Sequence, residues 1–145
     1  MRLVIQRVDQ ASVEVDKIIV GEIKKGLLIL VGFHHNDNIE KIDYMVKKIS
    51  NLRIFDDKEG IMNLSIQDIK GSILSVSQFT LYGDTSEGNR PSYINAMKSK
   101  KAKDMYELFN KKLKALNLKV EEGIFQADMK VNLINNGPVT IIIEK

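Results

Sequence analysis

The sequence predicts an α+β fold built as one domain. Alternating or β-branched apolar runs fill the first third of the chain and return in the last. Between them, two stretches repeat apolar residues at helical spacing. A length of 145 residues is about one domain, long enough for one substantial core.

Residues 3–8 and 11–15 each alternate and read as strands. Residues 17–23 and 26–33 follow, with Gly21 and Lys24-Lys25-Gly26 as turn punctuation. Leu27-Leu28-Ile29-Leu30-Val31 is too uniformly apolar for an edge strand. His34 and His35 close that run. Neighbours on a strand point to opposite faces, so the pair cannot jointly hold one metal or act as one base. From Asn38 the period changes: Ile39, Ile42, Met45, Val46, Ile49 and Leu52 recur at helical spacing, with Lys41, Asp43, Lys47 and Lys48 opposite. Asn36, Asp37 or Asn38 can supply the cap. Asp56-Asp57-Lys58-Glu59-Gly60 is a turn by composition and lacks calcium-loop spacing.

Residues 72–82, S-I-L-S-V-S-Q-F-T-L-Y, begin as a buried strand and turn polar at Ser77, Gln78 and Thr80. A strand that leaves a core carrying those groups is a rigid platform for a site. The same groups can equally satisfy hydrogen bonds at a strand end. Residues 83–89 form a polar loop, and Arg90-Pro91-Ser92 closes it before a helical segment, with Pro91 suited to the first turn. The helix over 100–116 buries Ala102, Met105, Leu108 or Phe109, and Leu113. Its other side carries Lys98, Lys100, Lys101 and Lys103, then Lys111, Lys112 and Lys114, offset only by Asp104 and Glu107. A solvated lysine face is the ordinary reading. A phosphate-facing patch is the other, and the position just after the polar loop favours it. Residues 119–121, 130–134 and 139–143 return to strands. Asn135-Asn136-Gly137-Pro138 joins the last two, and Asn-Gly is a strong reverse-turn signal. Composition gives no reason to expect a cis bond there.

Composition narrows the function classes. No apolar run reaches membrane-spanning length, and Arg2 and Gln6-Arg7 interrupt the N-terminal stretch too early for a signal peptide. With no cysteine, disulfides, zinc–thiolate sites and a cysteine nucleophile are excluded. A cytoplasmic protein fits best. A net charge of +3 permits a nucleic acid partner without demanding one. No ligand cluster argues for a metal, and no cofactor is implied.

Ser77-Gln78-Phe79-Thr80-Leu81 and Asn136-Gly137-Pro138-Val139-Thr140 resemble the two signature motifs of the D-aminoacyl-tRNA deacylases. Supporting matches span the chain: Gln6-Arg7-Val8 with Ala11-Ser12-Val13, Gly26-Leu27-Leu28, Arg53-Ile54-Phe55, Met62-Asn63-Leu64, Arg90-Pro91-Ser92, and Phe125 with Ala127-Asp128-Met129. Ile61 stands where the family usually has lysine, and Tyr93 where phenylalanine is usual; neither falls in a signature motif.

The resemblance implies hydrolysis of the ester joining a D-amino acid to the 3′ adenosine of tRNA. It implies a compact β-barrel of antiparallel or mixed strands with flanking helices, acting as a homodimer. The Gly137-Pro138 bond would be cis and inserted into the partner's site beside Ser77, Gln78, Phe79 and Thr80. Arg7 would help hold that loop, with Phe125 and Met129 in support. The tRNA would meet Arg90, Lys98, Lys100, Lys101 and Lys103.

Chemistry constrains how such a site works. A side-chain nucleophile at Ser77 or Thr80 needs an adjacent base oriented by a third group. On a regular strand the two have opposite parity, and no histidine is near either in sequence. The terminal ribose, however, carries a free 2′-hydroxyl beside the ester. That hydroxyl would position or activate water, while backbone N–H groups of Phe79 and Thr80 meet the oxyanion. D- and L-esters have the same composition, so burial cannot separate them. A rigid wall where an L side chain must point can do so, and such a wall cannot exclude glycine. Two competing classes remain: a serine or threonine esterase, for which the G-x-S-x-G elbow is missing, and a non-catalytic RNA-binding module using the lysine face and Tyr93.

Overall fold

A computed structural model describes residues 1–145. In chain order the elements are β1 (Arg2–Val15), β2 (Ile18–Ile23), β3 (Gly26–Gly32), α1 (Ile39–Ser50), β4 (Phe55–Asp56) and β5 (Met62–Leu64). Then come β6 (Ser72–Ser77), a 3-10 turn (Phe79–Tyr82), α2 (Ser99–Lys114), β7 (Lys119–Glu122) and β8 (Lys130–Glu144).

β1 is the spine. Its residues 2–8 pair antiparallel with β3 and 11–15 with β2, while β8 runs antiparallel along the opposite edge. Asp16 and Lys17, both at positive φ, make the tight turn into β2. β3 pairs parallel with β6, and β6 with β7. A Cβ on Gly26 would sit 1.8 Å from the Ser72 carbonyl oxygen, so only glycine lets β3 and β6 start side by side. At the far end, β2 comes against β7: a Cβ on Gly21 would lie 2.9 Å from the Glu122 oxygen. The mixed sheet thereby curls into a nearly closed barrel, with both helices on one side.

The uniform apolar run of β3 follows from two cores. Leu27, Ile29 and Val31 face the helices, among Leu3, Ile5, Ile42, Met45, Ile49, Ile73, Phe109 and Leu113. Leu28 faces the barrel interior with Val8, Ala11, Val13, Ile23, Leu74 and Val76. Both faces of β3 are therefore dry, and each such aliphatic side chain contributes about 1.5–3 kcal/mol on burial. Asn38 caps α1, its side chain accepting the Lys41 N–H at 3.1 Å. Lys112 of α2 reaches Asp43 of α1 at 2.6 Å.

The structure departs from the sequence expectations in five places. Residues 3–8 and 11–15 are one strand, because β8 templates the whole length. The strand over 72–82 ends at Ser77; the Gln78 N–H still reaches the Val31 carbonyl at 2.8 Å, and the chain then coils into the 3-10 turn. Thr80 is thus off the strand, and the parity argument separating it from Ser77 fails. Pro91 lies outside α2, since residues 92–97 are tied down first: Ser92 exchanges backbone bonds with Asp84, and the Met97 N–H meets the Phe33 carbonyl. Residues 135–138 make no reverse turn. β8 runs on through them, bulging opposite Arg7, because β1 offers partners on both sides of the bulge. His34 and His35 sit past β3, where the His34 N–H bonds to Asp37 at 2.7 Å; their rings touch, with centroids 4.1 Å apart, instead of pointing apart.

Candidate active site

The parallel strands β3 and β6 end together, Val31 level with Ser77. A cleft of about 680 Å³ opens at those ends. Gly32 makes it possible: a Cβ there would lie 3.1 Å from both the Gln78 oxygen and the Leu81 Cβ, so the 3-10 turn closes down on β3. Ser77, Gln78 and Phe79 line one wall. The start of α2 with Met97, Lys98, Ser99 and Ala102 makes a second, and residues 125–129 a third. Phe125 rests against Tyr106 of α2 at 6.0 Å between centroids, and Gly123 leaves room for Met129, whose sulfur a Cβ would meet at 2.6 Å.

Phe79 and Thr80 open the 3-10 turn, and the first N–H groups of a helix have no acceptor within it. Two backbone donors therefore stand at the end of β6. The Gln78 side-chain amide donates to the Thr80 hydroxyl, which is exposed and outside the lining of the cleft. Neither histidine lines the cleft. Burial, and then the neighbouring His35, hold the His34 imidazole below its ordinary value. No group of three or more His, Asp or Glu residues stands close enough to hold a metal. Asp128 and Lys98 are the charged lining residues; the sequence reading gave Lys98 to RNA and assigned Asp128 nothing. Asp128 carried no signal beyond its motif, and Lys98 carried only the lysine face to which it belongs.

Gly137 and Pro138 lie elsewhere. Their peptide bond is cis, both residues are exposed, and neither lines the cleft of its own chain. The bulge that carries them is pinned by Arg7, which is buried. Arg7 Nε and Nη2 donate to the carbonyl and side-chain oxygens of Asn136 at 3.2 and 3.1 Å. Its Nη1 donates to the Ile54 carbonyl at 2.9 Å and to Asp56 at 3.0 Å. Asn136 in turn donates to Asp9 at 2.8 Å.

Arg90, Lys98, Lys100, Lys101 and Lys103 are all exposed. Lys103 pairs with Glu107 at 3.8 Å, whereas Lys98, Lys100 and Lys101 make no ion pair. The first turn of α2 holds no acidic residue, so Lys98, Lys100 and Lys101 have no acidic partner within it.

Residues 4–144 match the family described as D-Tyr-tRNA(Tyr) deacylase. A D-aminoacyl-tRNA deacylase of Fusobacterium nucleatum is 56% identical over 144 residues, which cover 99% of this chain and 95% of that protein. A solved protein described as a c-Myc DNA unwinding element binding protein superposes with a TM-score of 0.94 at 38% identity, over 100% of this chain and 99% of its own. A probable eukaryotic D-amino acid tRNA deacylase superposes with a TM-score of 0.84 at 17% identity, covering 98% and 97%, and shares the fold. With Ser77, Gln78 and Phe79 lining a cleft and the family match running nearly end to end, the chain belongs to the D-aminoacyl-tRNA deacylases, a family of hydrolases.

Proposed function

We propose that this chain hydrolyses the ester of D-aminoacyl-tRNA, releasing the free D-amino acid and tRNA, and that it works in the cytoplasm as a homodimer. The observation that carries the reading is the Ser77-Gln78-Phe79 wall: it borders an aromatic and apolar cleft, offers backbone donors, and has no histidine beside it. Water attacks the ester carbonyl carbon, and the N–H groups of Phe79 and Thr80 receive the developing oxyanion. The bond to the ribose 3′-oxygen then breaks, and that oxygen takes the proton given up by water. The ribose 2′-hydroxyl, next to the ester, orients the attacking water. Ser77 and Gln78 hold the substrate, with Phe125 and Met129 enclosing the terminal adenosine. Arg90, Lys98, Lys100, Lys101 and Lys103 hold RNA phosphates.

Chirality is judged by Gly137 and Pro138 of a partner subunit. Three features support a second subunit. β8 hydrogen-bonds along one edge only. Ile134 and Ile142 on it are 51% and 64% exposed, apolar surface that a second subunit would cover. The Gly137-Pro138 bulge projects from that same strand. A rigid backbone placed where an L side chain must point rejects L-esters.

The test incubates the protein with D-tyrosyl-, L-tyrosyl- and glycyl-tRNA and with a small D-amino acid ester, following amino acid release. Hydrolysis of the D- and glycyl-tRNAs alone is expected. Inert glycyl-tRNA overturns steric rejection, and turnover of the small ester points to a general esterase using Ser77 or Thr80. A second reading, a non-catalytic nucleic-acid-binding module, draws on the unpaired Lys98, Lys100 and Lys101 and on the DNA-binding name of the 38%-identical relative. Release of nothing at all favours it.

A further inference from the structure

Phe79 and Tyr93 form an edge-to-face pair at the lip of the cleft, with centroids 5.0 Å apart at 65°. Both line the cleft, yet Phe79 is 59% and Tyr93 39% exposed. The partner subunit's bulge proposed above reaches Phe79 from one side, and the face that the pair still offers is aromatic surface open to a further ligand. The pair is also held in place. A Cβ on Gly83 would meet the Tyr93 ring at 3.0 Å, so glycine lets the ring settle onto the 3-10 turn. On the far side of Tyr93, the Ala96 N–H bonds to the Tyr93 carbonyl at 3.0 Å. The His35 N–H reaches the Asn95 carbonyl at 3.0 Å, and Met97 bonds to Phe33. Lys98 lies in the same cleft, with Lys100 and Lys101 beyond it, none of them ion-paired.

We infer that the Phe79–Tyr93 pair is a stacking platform for the nucleotide that precedes the terminal adenosine, with Lys98 holding the phosphate between the two. This inference rests on the deacylase reading above. A rigid aromatic face beside unpaired cations is what single-stranded nucleic acid recognises: bases stack on the ring and phosphates take the cations, without readout of sequence. The position follows from the cleft. Phe79 follows Ser77 and Gln78 directly in the chain, and its ring meets Tyr93, all four in the same cleft. With the ester at Ser77 and Gln78 and the terminal adenosine against Phe125 and Met129, as proposed above, the next nucleotide comes within reach of this pair. A protein partner is the rival occupant, but the unpaired Lys98 in the same cleft favours a polyanion.

The experiment compares wild type, Tyr93→Phe and Tyr93→Ala on two substrates: D-tyrosyl-tRNA, and 3′-O-D-tyrosyl-adenosine, which lacks every preceding nucleotide. Tyr93→Ala is expected to lower kcat/KM on the tRNA about tenfold to a hundredfold. It should leave the adenosine ester within about threefold, and Tyr93→Phe should restore the tRNA rate. An RNA hairpin with a single-stranded 3′ end and 2-aminopurine in the penultimate position reports stacking directly: its fluorescence is expected to be quenched by wild type and Tyr93→Phe but not by Tyr93→Ala. An equal loss on both substrates, an unchanged tRNA rate, or a changed subunit assembly in Tyr93→Ala overturns the platform while leaving deacylation standing. A wild type inert on both substrates overturns the deacylase reading and the platform with it.

Discussion

Arg7→Met keeps the aliphatic stem of a buried side chain and deletes its guanidinium. Four acceptors lose a donor: the Ile54 carbonyl, Asp56, and two oxygens of Asn136. They do not weigh equally. The Asp56 side chain is 47% exposed and water replaces the arginine readily, so that pair contributes well under about 1 kcal/mol. The Ile54 carbonyl is buried and has no route to water, which costs about 1–3 kcal/mol. The two half-buried Asn136 contacts add about 1 kcal/mol between them. A loss near 3 kcal/mol corresponds to a melting temperature about 10 °C lower in a chain of this size. Arg7→Lys recovers only part of it, because one ammonium cannot reproduce a planar fork spread over three residues. Circular dichroism melts supply the stability. Deacylation of D- and L-tyrosyl-tRNA, measured well below the lowered melting point, supplies the function. The bulge that Arg7 pins carries Gly137 and Pro138, so the D/L rate ratio is expected to collapse by at least about tenfold. A melt within about 2 °C of wild type, or an unaltered D/L ratio in the folded variant, refutes the assignment of Arg7 as the pin.

Ser77→Ala and Thr80→Ala are each expected to reduce the deacylation rate by no more than about tenfold; a loss of about ten-thousandfold with tRNA binding retained identifies a side-chain nucleophile instead. Replacing Lys98, Lys100 and Lys101 together by alanine should raise KM with little change in kcat and lower the slope of log binding against log salt by about two; an unchanged slope removes these lysines from the RNA surface. Burial, reinforced by the Asp37 carboxylate and opposed by Arg2, pushes the Tyr82 phenol up to about 12. The folded chain then keeps a proton that the unfolded chain loses near pH 10, so stability falls as pH rises from there toward 12. Tyr82→Phe should flatten that part of the pH–stability curve, and an unchanged curve contradicts the shift.

Where local pattern and tertiary context agree, the sequence was readable. The doubly buried run of β3, the Asn38 cap and the lysine side of α2 all follow from periodicity and composition. Where a partner element decides, local pattern misled. Gln78 has the composition of a strand continuing, but Gly32 on the neighbouring strand lets the chain coil over it. Asn136-Gly137 has the composition of a hairpin, but β1 supplies ladder partners beyond it, and Arg7 absorbs the extra residues as a bulge. Pro91 has the composition of a helix start, but Asp84 and Phe33 claim the following backbone first. Both signature motifs were legible as strings. That they lie apart within one chain came only from the resemblance, because nothing local in either string specifies which surface its bulge or turn will face.

The proposed mechanism, which uses no side-chain base, depends on the backbone staying still, and the neighbours of β6 provide that. The Ser75 carbonyl, two residues before Ser77, accepts both the Tyr106 hydroxyl at 2.8 Å and the Gly123 N–H at 2.9 Å. Ser77 is level with Val31 on β3, and Gln78 adds one more bond to that strand. The strand is thus clamped by β3, β7 and α2 immediately before the residues that offer their N–H groups. Donors fixed in this way need no reorganisation as charge develops on the ester oxygen, which is the condition for electrostatic stabilisation to lower a barrier. Tyr106 spans both halves of the arrangement, with its hydroxyl on β6 and its ring against Phe125 across the cleft. The Ser77–Phe79 wall and the Phe125 wall are therefore both set by one buried side chain, and a change at Tyr106 moves both together.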